Sequence, residues 1–198
     1  MELTEVRRRR RMVRRYDPDL PVPAESLDRL LDAALRVPSA GFTQAVSLLV
    51  LDGPDKATFW AVTTDPAEQP DSWLTGLSSA PVLVLVWTEP AAYLDRYAEP
   101  DKGWTDRDPA RWTAPYWYVD AGMAVLAMLY AAVDEGLGAC FFGAPPDRIP
   151  AIRSTYAVPV GHELVGVVSV GFAAGAPRRS RRGRRSADEL IHRGRWGE

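Results

Sequence analysis

Leu27, Leu30, Leu31, Ala34 and Leu35 recur at i, i+3, i+4, i+7 and i+8, which is the apolar stripe of an amphipathic helix. The spacing predicts a helix over residues 23–36. Pro23 suits its first turn, Glu25 and Arg36 sit where they complement the helix dipole, and Pro38 stops it. A longer apolar stretch predicts the main helix over residues 116–135. Its small residues Ala121, Gly122, Ala124, Ala127, Ala131 and Ala132 permit close packing, as in a central helix or a dimer seam, and Gly136 can cap its end. Shorter apolar runs predict strands at residues 47–51, 82–87, 139–143 and 164–171. The continuous β-branched run at 82–87 is expected to be buried on both faces. Short helices are expected over 55–62 and, despite Pro150, over 146–156, with a short turn at 187–192.

Helices and strands do not alternate regularly, so the expected fold class is α+β. The expected architecture is a small, mostly antiparallel sheet flanked by helices, in one domain spanning 1–198. Residues 63–72 read as loop. Residues 100–115 carry Asp101, Asp106 and Asp108 with Trp104 and Trp112. Such a stretch is either a lid or partner contact, or a loop folded onto its own surface.

Charge changes the picture more than composition does. The net charge is -2, but residues 1–15 hold seven arginines against two glutamates, and residues 177–198 hold eight arginines against three acids. Each end is therefore +5 and the body between them is -12. Only two lysines occur, Lys56 and Lys102, so the positive charge is almost wholly guanidinium. That planar fork pairs with phosphate or carboxylate two bonds at a time and stays charged. The ends could be solvated tails, could bind nucleic acid, or could meet over one anion. The acidic body and the scarcity of lysine weigh against nucleic acid.

Other chemistries lack their residues. No Gly-x-Gly-x-x-Gly follows a strand, since Gly136-Leu137-Gly138 lies between a helix and a strand. No P-loop or Gly-x-Ser-x-Gly elbow occurs, and two histidines with one cysteine draw no zinc site. Cys140 within an apolar strand reads as an inert thiol. Any enzyme built on this chain is expected to borrow its chemistry from a cofactor. A single cysteine, no N-terminal apolar segment and no apolar run long enough to span a bilayer point to a cytoplasmic protein without a membrane partner.

Residues 38–44, Pro-Ser-Ala-Gly-Phe-Thr-Gln, are mostly small. Such a stretch can bring backbone close to a flat ligand, or can simply connect a helix to a strand. Three segments in order then resemble the FMN-dependent nitroreductase family. Arg10-Arg11-Met12-Val13-Arg14-Arg15-Tyr16 is similar to its opening Arg-Arg-Ser-x-Arg-x-Phe. Residues 38–44 are similar to Pro-Ser-x-x-Asn-x-Gln-Pro-Trp. The third runs from Asp120 through Gly136-Leu137-Gly138 and Phe142-Gly143 to Val170-Gly171-Phe172 and the basic tail.

The resemblance implies an α+β homodimer with FMN sites at the interface and the long helix in the seam. Arg10, Arg182 and Arg184 would hold the phosphate, within a segment including Arg11 and Met12, and Arg14 would lie by the flavin N1 edge. Pro38, Ser39, Ala40 and Gly41 would come from the other subunit, and Phe142, Gly143 and Ala144 would face the ring near N5. It further implies NAD(P)H as hydride donor and a nitroaromatic, quinone or similar conjugated small molecule as acceptor. No protein-borne catalytic residue and no metal is expected. Related flavin chemistry, such as reductive dehalogenation or flavin breakdown, is the alternative. Met12, Phe42 and Ala45-Val46 depart from the family's serine, asparagine and Pro-Trp.

Overall fold

A computed structural model describes residues 1–65, 67, 69–175 and 182–197. Four strands, β1 (Val46–Asp52), β2 (Val82–Thr88), β3 (Gly138–Phe142) and β4 (Glu163–Gly171), form an antiparallel sheet in the order β1-β2-β4-β3. Seven helices accompany it among the described residues: α1 (Leu3–Arg9), α2 (Ala24–Leu35), α3 (Gly53–Thr63), α4 (Ser72–Ser78), α5 (Pro90–Ala98), α6 (Tyr116–Asp134) and α7 (Ile149–Thr155).

β2 is buried along its whole length because both faces of the sheet are covered. Val82, Val84 and Val86 point to one core, shared with α2 and α6. Leu83, Leu85 and Trp87 point to the other, shared with Phe59 of α3, Leu77 of α4 and Ile152 of α7. The period-2 alternation of a strand therefore feeds two apolar layers instead of one apolar and one wet face.

α6 is apolar all round. Ala121, Ala124, Val125, Met128, Leu129 and Ala132 are buried, whereas Val119 and Leu126 remain exposed. The helix is long and apolar enough to cross a membrane by length and composition alone, but its buried stripe belongs to the sheet core. Near its C-terminal end, Glu135 receives Arg29 from α2 through two bonds of 2.7 Å.

The expected strands and the helices α2, α3 and α6 fall within a residue or two of their anticipated limits. Pro150 does not interrupt the helix after β3; it lies in the first turn of α7, following a separate 3-10 turn at Pro146–Arg148. α1, α4 and α5 have no counterpart in the periodicity, since each has nine residues or fewer. Local cues set two of them: the Asp71 carboxylate accepts the Trp73 and Leu74 amides at the start of α4, and Pro90 opens α5. The acidic, tryptophan-bearing stretch folds onto itself. Tyr97 packs against both Trp104 and Trp112, with ring centroids 4.9 and 4.3 Å apart, and the Trp104 amide donates to the Tyr97 carbonyl at 2.8 Å.

Candidate functional site

After α1 the chain runs extended, and its backbone is fixed on three sides. Met12 pairs with Ala139 of β3 in a parallel bridge, and the Val13 amide donates to the Ala139 carbonyl at 2.9 Å. Tyr16 pairs with Ala173 beyond β4. The buried Tyr16 hydroxyl reaches the Val13 carbonyl at 2.6 Å and the Ser169 hydroxyl at 2.8 Å. Burial pushes this phenol well above the ordinary tyrosine range, so it stays a neutral donor. On the remaining side α4 lies against the Arg14 backbone at Gly76. Met12 packs its half-buried side chain against both cores.

The fold sorts the arginines of this segment. Glu5 pairs with Arg8 and with Arg9, and the Arg11 guanidinium bonds to the Arg8 and Arg10 carbonyls at 2.6 and 2.8 Å. Among the described residues no acid pairs with Arg7, Arg10, Arg14 or Arg15. Arg10 is the half-buried one of these four. A partly desolvated guanidinium without a carboxylate has donors left for an anion.

The segment meets β3 at Ala139; at the other end of that strand Phe142, with Gly143 and Ala144, forms one wall of an open cleft of about 900 Å³. Phe59, Trp60, Trp73 and Leu74 supply apolar lining, and Asp65, Asp71, Asp147 and Arg148 supply charge. Trp60 stacks on Phe142 with centroids 5.8 Å apart and planes 9° apart. The cleft is wide enough for a planar aromatic ligand and has aromatic faces to meet it.

The 38–44 loop is a closed turn. The Ala40 amide donates to the Asp120 carboxylate at 2.8 Å, Phe42 to the Ser39 carbonyl at 2.9 Å, Thr43 to the Ala40 carbonyl at 3.2 Å and Gln44 to the Ser39 hydroxyl oxygen at 3.0 Å. Of these four amides, one is taken by Asp120 of α6 and three are used within the turn itself. The Ser39 and Gly41 amides and the Ser39 hydroxyl hydrogen have no partner among the described residues. No hydrogen bond among the described residues joins the loop to Arg10–Arg14 or to Phe142–Ala144. Phe42, in place of asparagine, is 71% exposed.

Arg182 and Arg184 are exposed in the C-terminal segment. No hydrogen bond or ion pair among the described residues ties Arg184 to the N-terminal cluster. Arg178, Arg179 and Arg181 of the second basic cluster lie outside the described residues. Tyr93, Arg96 and Gly76 are residues that sequence reasoning passed over, and Asp120, where the third resembling segment begins, was given no role. Asp120 alone carried a signal, as an acid at the start of an apolar helix, where it is now only 2% exposed.

A family model described as the nitroreductase family matches residues 8–172, from the arginine segment to the end of β4. The chain belongs to the nitroreductase family. This family member is 26% identical over 179 residues, 89% of its own length and 80% of the relative's, to a protein of Methanothermobacter thermautotrophicus provisionally named NADH dehydrogenase/NAD(P)H nitroreductase. Its fold is similar to that of nitroreductase CinD from Lactococcus lactis in complex with nicotinic acid, with a TM-score of 0.79, 19% identity and 97% and 100% of the two chains covered. It is also similar to a provisionally named nitroreductase from Desulfovibrio desulfuricans in complex with FMN, with a TM-score of 0.74, 23% identity and 99% and 98% coverage. At these identities the likeness establishes the fold. Arg182 and Arg184 lie beyond the matched residues.

Proposed function

We propose that the protein is an FMN-dependent oxidoreductase acting as a cytoplasmic homodimer, with NAD(P)H as donor and a nitroaromatic, quinone or similar conjugated molecule as acceptor. The observation that carries this is the half-buried Arg10, without an acid partner among the described residues, on a segment anchored to β3, the strand whose other end lines the aromatic cleft. FMN, when bound, supplies the chemistry by accepting hydride at N5 and passing it on.

The residues present fit that cofactor. Arg10, with Arg182 and Arg184, would hold the dianionic phosphate through charge-assisted bonds. Arg14 would place a permanent cation at the flavin's N1 edge, where a positive charge favours the reduced, anionic ring. Phe142, Gly143 and Ala144 would face the ring, and the Trp60–Phe142 stack would exclude water from one side of the cleft.

Pro38, Ser39, Ala40 and Gly41 would serve the partner's cofactor, which suits a loop bonded to neither Arg10–Arg14 nor Phe142–Ala144 in its own chain. The exposed apolar side of α6 supports the pairing of two copies. The relative named for NAD(P)H and the structural neighbour holding FMN support donor and cofactor. A buried, free Cys140 suits a reducing compartment.

Purified protein should be yellow, and anaerobic NAD(P)H should bleach its visible bands. Arg10→Ala and Arg184→Ala should each release FMN. Full flavin occupancy in both variants rejects the phosphate site, and a colourless protein that takes up no added FMN rejects the reading as a whole.

A further inference from the structure

Three contacts converge on the peptide units of Ala40 and Gly41. The Asp120 carboxylate accepts the Ala40 amide at 2.8 Å. Arg96 donates its Nε–H to the Gly41 carbonyl at 2.8 Å. The Tyr97 ring closes on Gly41 so tightly that a Cβ there would stand 2.7 Å from it. All three come from α5 and the start of α6, the elements that bracket the aromatic segment.

Each clamp residue is itself held. The Asp120 oxygen that takes the Ala40 amide also takes the Tyr93 hydroxyl at 2.8 Å. Arg96 is gripped by both oxygens of Asp101, at 2.7 and 2.8 Å, and by Glu99 at 3.1 Å. The loop they hold is conformationally unusual: Gly41, Phe42 and Gln44 have φ of 63°, 57° and 55°. Positive φ at a bulky residue persists only where the surroundings impose it. Burying the Asp120 carboxylate among neutral donors is also costly, and an apolar side chain would fill a core position more cheaply. Both costs bear on a loop whose Ser39 and Gly41 amides have no partner among the described residues.

We propose that Asp120 and Arg96 are positioning residues: they fix the 38–44 turn from two sides so that its remaining donors are set before the flavin arrives. This rests on the reading that the loop faces a flavin. The aromatic 93–117 segment is, on this view, the buttress of the cofactor loop. Changes there act on flavin affinity through Arg96 and Tyr93, without touching the cofactor.

The test compares wild type, Arg96→Ala, Arg96→Lys, Tyr93→Phe and Asp120→Asn. It measures FMN affinity by fluorescence titration, amide exchange of the 38–44 peptide by mass spectrometry, and melting temperature. Arg96→Ala removes a charge-assisted bond. It should speed exchange of this peptide and weaken FMN about 10- to 100-fold, with little change in melting temperature. Arg96→Lys should recover part of both losses. Unchanged exchange and unchanged FMN affinity in Arg96→Ala and Tyr93→Phe overturn the proposal. Should Asp120→Asn fail to fold, those two variants decide. If wild type binds no FMN, the functional reading fails, and the exchange comparison still shows whether the clamp holds the loop.

Discussion

The carbonyl oxygen of Arg14 lies so close over Gly76 that a Cβ there would stand 2.2 Å from it. Gly76 is in the interior of α4, where alanine would ordinarily be favoured by roughly 1 kcal/mol. Here the contact reverses the sign, because backbone cannot yield as a flexible side-chain tip can. Gly76→Ala should destabilise the fold by about 1–3 kcal/mol and displace Arg14, weakening FMN. Calorimetry with a parallel flavin titration checks this. A raised melting temperature would show that α4 does not press on the Arg14 segment.

Tyr16→Phe deletes the hydroxyl that joins the Val13 carbonyl to Ser169 in the buried interior. The loss should cost about 1–3 kcal/mol, because buried partners are left unsatisfied, lowering the melting temperature by roughly 2–4 °C per kcal/mol. Urea denaturation measures it directly. Since burial raises the phenol's pKa, the Tyr16 contribution should persist through neutral and mildly alkaline pH.

Val119 and Leu126 are 46% and 43% exposed on the side of α6 turned away from the sheet. A charge placed there leaves the core intact and sets a desolvation cost against any copy seated on it. Leu126→Arg should produce a folded monomer that has lost its flavin. Sedimentation shows the mass, circular dichroism the fold and absorbance the cofactor. A flavin-bearing dimer in this variant would move the interface elsewhere.

Arg29 and then Ser26 hold the Glu135 carboxyl below its usual range, tying α2 to the end of α6. A lowered folded pKa gives stability that is complete above the unfolded value of about 4.3 and is lost as pH falls through the folded one. Asp101 and Asp106, held down by Arg96 and Arg111, titrate in the same direction. Melting temperature should therefore be flat from about pH 5 to 7 and fall below about pH 4. Glu135→Gln should be less stable than wild type at pH 7 and show a shallower acid decline.

α2 was legible because its apolar residues repeat a helical period, and the strands and α6 because their apolar runs are short in the one case and long in the other. The arginine segment was legible for a different reason: guanidinium density is a property of composition and needs no contact to be seen. Short helices such as α4 and α5 were not legible, since one or two turns cannot display a period. The 100–115 segment offered two readings from sequence, and ring-on-ring packing between Tyr97, Trp104 and Trp112 favours the folded surface.

The sequence by itself determined the family, the absence of a protein-borne nucleophile motif and the positions of the two guanidinium clusters. Which arginines are already paired follows from α1, a helix too short to show a period: Glu5 selects Arg8 and Arg9 by helical spacing, while Arg10 and Arg14 lie beyond its reach. Only the tertiary structure set Asp120 beneath a loop 80 residues away. A hydrogen bond across such a separation depends on the paths of α5 and α6, and no local pattern of residues encodes it.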